Sequence, residues 1–76
     1  MALYDDILEI AKEYMGPAAK KYMTRRFKSM RIENPDEMAK EDLDMLATTI
    51  QATAKLYLNE EQVLKFKQDI LALKRN

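Results

Sequence analysis

The chain has 76 residues, with 13 basic and 13 acidic side chains, a single glycine, and neither histidine nor cysteine. Its length fits one domain, residues 1–76, near the size at which a single core gives only marginal stability. Without imidazole or thiol it lacks the commonest general base, the usual soft metal ligands and any disulfide, so an enzyme, a cofactor or a metal site is not expected.

Leu3 to Met15 is the first predicted helix. Leu3, Tyr4, Ile7, Leu8, Ala11, Tyr14 and Met15 make one apolar stripe, and Asp5, Asp6, Glu9 and Glu13 lie opposite. Gly16 ends it, as the residue that most easily takes a left-handed backbone. Pro17 follows at the first position of the next helix, where its missing N–H costs nothing.

The second helix runs from Pro17 to about Met30 or Arg31. Ala18, Ala19, Tyr22, Met23, Phe27 and Met30 fall on its apolar side. Arg26 lies in the middle of that side. An unpaired guanidinium there is costly, so the expectation is a structural ion pair with Asp42 of the third helix. The competing reading is an arginine stem that reaches water by itself.

Asn34, Pro35 and Glu37 form the next start signal. The third helix is either continuous from Pro35 to about Tyr57 or broken near Ala39. Leu43, Leu46, Ala47, Ile50, Ala54 and Tyr57 form its main stripe. Met38, Met45, Ala52 and Leu56 form a second, which predicts neighbours on two sides. Asn59 to Gln62 is a capping box, with Leu58 and Val63 placed as a hydrophobic staple. It opens a fourth helix to about Lys74, which buries Val63, Phe66, Ile70 and Leu73. Leu64 and Leu71 lie at the edge of that arc as a candidate apolar interface. The fold class is therefore all-α, a compact bundle of four amphipathic helices with short connections.

Charge is distributed unevenly. Residues 16 to 31 carry six basic side chains and no acid, between two acidic segments. Lys20, Lys21, Arg25, Lys28 and Arg31 are a candidate anion- or partner-binding set, with Lys21, Arg25 and Lys28 in one row along the helix. A solvated face balanced by neighbouring acids is the preferred account, because the pI near 6.2 disfavours nucleic acid. No apolar run approaches the ~20 residues of a membrane span, and the absence of cysteine makes the cytoplasm the expected compartment.

The run EYMGPAAKKYMTRR, then EDLDMLATTI, then EEQVLKFKQDIL resembles a small helical module at the ends of some bacterial signalling proteins, including serine/threonine kinases. Gly16, Pro17, Ala19 and the Arg25/Arg26 pair carry the likeness over residues 3 to 73. For so short a chain no attached catalytic or sensor domain is expected, and the resemblance then implies an adapter role. The expected function is non-enzymatic protein–protein contact with an unknown partner or with a second copy as a homodimer. Binding of nucleic acid or an anionic surface through the second helix is the alternative.

Overall fold

Two left-handed backbone positions decide where the chain turns: Gly16 at φ 58° and Arg31 at φ 61°. The structure, a computed structural model, describes residues 3–75. Helix α1 spans Leu3–Met15, a 3-10 turn takes Gly16–Ala18, and α2 follows at Ala19–Ser29. The left-handed glycine folds α2 back along α1, so the rings of Tyr4 and Phe27 sit 5.7 Å apart. Ala11 and Ala19, both fully buried, leave the corner free of bulk.

The far end of α2 closes with a paired cap. The Arg31 N–H donates to the Lys28 carbonyl at 3.1 Å, and the Ile32 N–H to the Phe27 carbonyl at 2.9 Å. This is the Schellman arrangement, which normally places glycine where Arg31 stands. Ile32 packs against the same core that holds Phe27, and that burial offsets the strained arginine backbone.

After a lone 3-10 turn at Pro35–Glu37 come α3 at Asp42–Thr53, extended by a 3-10 turn at Ala54–Leu56, and α4 at Glu60–Ala72, extended at Leu73–Arg75. The third predicted helix is thus broken around Ala39, and only Met38 of the intervening segment is buried. The capping box forms in full: Asn59 Oδ1 accepts from the Gln62 N–H at 2.8 Å, and Gln62 Oε1 accepts from the Asn59 N–H at 3.1 Å. α4 returns antiparallel to α3, tied by Lys74 to Asp44 at 2.8 Å and by Lys67 to Gln51 at 2.7 Å.

Every helix contributes its i, i+3, i+4 face to one core. Ile7 comes from α1, Met23 and Phe27 from α2, Leu43, Leu46 and Ile50 from α3, and Val63, Phe66 and Ile70 from α4. Phe66 is fully buried and stacks on Tyr14 at 5.1 Å. The radius of gyration, 11.1 Å, is close to the ~11.4 Å expected for a compact chain of this length. Among the described residues there is no strand, and no helix is long and apolar enough to cross a membrane.

Three expectations are corrected. The described residues make three continuous helical stretches, 3–29, 42–56 and 60–75, rather than four separate helices. The Gly16 corner turns the chain without interrupting its helical run, because the 3-10 turn leads directly into α2. Of the second stripe of the third helix only Met38, ahead of the break, packs into the core: Met45 is 57% and Leu56 81% exposed, and Ala52 is exposed as well. The buried residues of α3 share one side, and no described residue covers the other. Tyr57, expected in the main stripe, lies past the terminal 3-10 turn and is 58% exposed, with only its ring edge against Tyr22.

Candidate interaction surfaces

The outer face of α2 presents Lys20, Lys21, Arg25 and Lys28 to solvent, with Arg31 exposed just beyond. The balance by neighbouring acids that the sequence favours does not take the form of contacts. The ion pairs Lys65–Glu61 and Lys74–Asp44 lie outside α2, and among the described residues none of its cations is in an ion pair. The five cations therefore share one surface without carboxylate partners.

Arg26 is partly buried beside them, and it is not paired with Asp42. Its guanidinium carbon lies 5.0 Å from the centroid of the Tyr22 ring, and its Nε is buried without a hydrogen-bond partner. Asp42 Oδ2 instead accepts from the Ala39 N–H at 3.1 Å, which satisfies the backbone at the break before α3. The carboxylate expected to reach Arg26 thus serves its own helix start. A cation over an aromatic face is worth roughly 0.5–2 kcal/mol, and an unsatisfied buried donor costs about 1–3, so Arg26 gains little net stability by staying.

Tyr22 links α2 to the end of α3. Its hydroxyl shares a 2.6 Å hydrogen bond with Thr53 Oγ1, and its ring meets Tyr57 edge-on at 5.8 Å. Burial pushes the Tyr22 phenol above its ordinary range, opposed by the Thr53 bond and the positive charge of Arg26. Tyr14 makes the corresponding link from α1 to α4, where its hydroxyl donates to Asp69 Oδ2 at 2.5 Å. That bond to a carboxylate, with burial behind it, pushes the phenol up to about 12.

The second surface runs along α3 and α4. The side of α3 facing away from the core bears Met45, Thr48, Gln51 and Ala52, all exposed. An open groove separates this side from the start of α4 and is lined by Thr48, Ala52, Lys55, Glu60, Val63 and Leu64. Leu64 is 51% exposed at its edge, whereas Leu71, one stride further along α4, is partly buried. Of the predicted apolar pair, Leu64 is the accessible member.

Met45 belongs to this surface although its residue type reads as core, and Leu56 is exposed at the end of the helix. A usable signal was present: Met45 to Ala54 contains no charged residue, in a chain that is 34% charged. A ten-residue helical stretch without charge has no ordinary solvent face.

Among the described residues, no group of three acids is placed to hold a metal ion. No family model matches the chain, and neither a curated protein nor a solved structure matches it.

Proposed function

We propose that this protein is a non-enzymatic interaction module, an adapter in the sense its resemblance implies, that binds protein through the α3–α4 face. The observation carrying this reading is the outer side of α3, uncharged from Met45 to Ala54, next to exposed Leu64. A small chain that leaves Met45 and Leu64 exposed on neighbouring helices holds them at a cost in solubility, and exposed apolar surface marks contact sites. The groove between the helices gives such a contact shape as well as apolar area.

Position-specific photo-crosslinking in cells tests the reading. A photoreactive side chain at position 45 or 64 should give a discrete protein adduct, and one at Lys28 on the opposite, basic surface should not. Equal labelling at all three positions, or none, overturns it.

A second reading concerns α2, favoured by the five exposed cations that have no acid contact. If they hold a polyanion, affinity for heparin or an acidic vesicle falls steeply with salt and is lost in the Lys21→Gln, Arg25→Gln, Lys28→Gln triple variant. Retention that ignores both salt and the substitutions removes that role.

A further inference from the structure

We infer that the occupant of the α3–α4 face is a second copy of this chain, docked through an antiparallel pair of α3 helices about a two-fold axis at Thr48. This rests on the interaction reading above and adds the identity and geometry of the partner. The line of α3 farthest from the core runs from Glu41, the residue that precedes the helix, through Met45, Thr48 and Ala52 to Lys55 in the terminal 3-10 turn. Thr48 lies midway between Glu41 and Lys55. A two-fold axis through Thr48 therefore sets Glu41 of each copy against Lys55 of the other, and brings Met45 opposite Gln51 and within one residue, ~1.5 Å along the helix, of Ala52.

The symmetry makes both ion pairs at once, as a self-complementary interface requires. Glu41 and Lys55 are exposed, and neither has an ion pair within the chain among the described residues. Met45, long and adaptable, reaches a small residue at the edge of the groove that Val63 and Leu64 line. Other registers lose these features. Moving the axis along the same line to Met45 sets Glu41 against Thr49, and moving it to Ala52 sets Lys55 against Thr49, so in neither register does one of these charges meet its opposite.

The seam from Glu41 to Lys55 is only ~21 Å long by the helical rise, short for an interface of standard size. The dimer should therefore be concentration-dependent rather than permanent.

The whole chain, measured by light scattering across a concentration series, should move from 8.9 kDa towards twice that mass. Glu41→Lys and Lys55→Glu should each weaken the dimer by about tenfold. The double reversal should restore it to within a few-fold of the wild type. Because the chain has no cysteine of its own, Thr48→Cys gives a direct geometric readout. On the axis it should form a disulfide with itself under mild oxidation, and Lys28→Cys should not. A monomer at every concentration, a double variant as weak as the singles, or failure of Thr48→Cys to cross-link ahead of Lys28→Cys each overturns the second-copy assignment. If photo-crosslinks at Met45 then reach a different polypeptide, the interaction reading stands and only the identity of the partner fails. Without any adduct both fall.

Discussion

The outer faces of α2 and α3 are both helical surfaces opposite the same core, and they are built in opposite ways. α2 shows water a row of cations, Lys21, Arg25 and Lys28, on long flexible stems. α3 shows Met45, Thr48 and Ala52, with no charge in between. The first is kept hydrated by its own chemistry and resists being covered by anything apolar. The second loses almost nothing when water leaves it. Exposure alone therefore does not separate a solvated face from a docking face; the desolvation cost of the exposed groups does.

The largest expected effect tests whether α3 is as two-sided as described. Ile50→Ala, on the fully buried side, should cost about 2–5 kcal/mol in denaturant melts. Met45→Ala on the outer side should stay within about 0.5 kcal/mol at dilutions where the chain is monomeric. Comparable losses would mean that Met45 is packed and the contrast between the two faces is wrong.

An intermediate effect concerns the core side of the molecule, where α1 is joined to α4. Tyr14 binds α1 to α4 through Asp69, on the core side of the molecule. Tyr14→Phe should cost about 1–2 kcal/mol, at the low end for a hydrogen bond to a charged group because the pair is only partly buried. The Tyr14 phenol titrates near 12 in the folded chain and near 10 unfolded, so the bond contributes fully below pH 10 and is lost as pH rises through 12. The stability gap between wild type and Tyr14→Phe should be flat to about pH 10 and close above it. A gap that does not narrow between pH 10 and 12 would exclude the bond as its source.

The smallest effect sharpens the α2 side and has the opposite sign. Arg31→Gly should stabilise the chain by about 1 kcal/mol, since glycine takes φ 61° without the penalty of a β-carbon. If the variant is less stable, the arginine side chain contributes contacts that outweigh its backbone strain.

Much of this architecture was readable in advance where one residue type dictates one backbone state. Gly16 marked the corner, and the Asn59–Gln62 box marked the start of α4. Arg31 was unreadable as a left-handed cap because only packing of Ile32 onto the core makes that conformation worthwhile. The Arg26–Asp42 pair failed for a related reason. A helical wheel gives the direction of a side chain but not its competing partners, and the Ala39 N–H holds Asp42. Met45, Ala52 and Leu56 looked buried because amphipathic periodicity records how apolar a face is, and is silent on whether another element reaches it.

The Gly16 corner has a stereochemical consequence. An L β-carbon built there would meet nothing within 4 Å, so the position has room for a methyl group. What it rejects is handedness. An L-residue is penalised by its own backbone at φ 58°, whereas the mirror-image D-alanine is at home there and has fewer unfolded conformations to give up. The turn between α1 and α2 thus rejects an L-methyl group on backbone grounds alone, in a space that would admit its bulk.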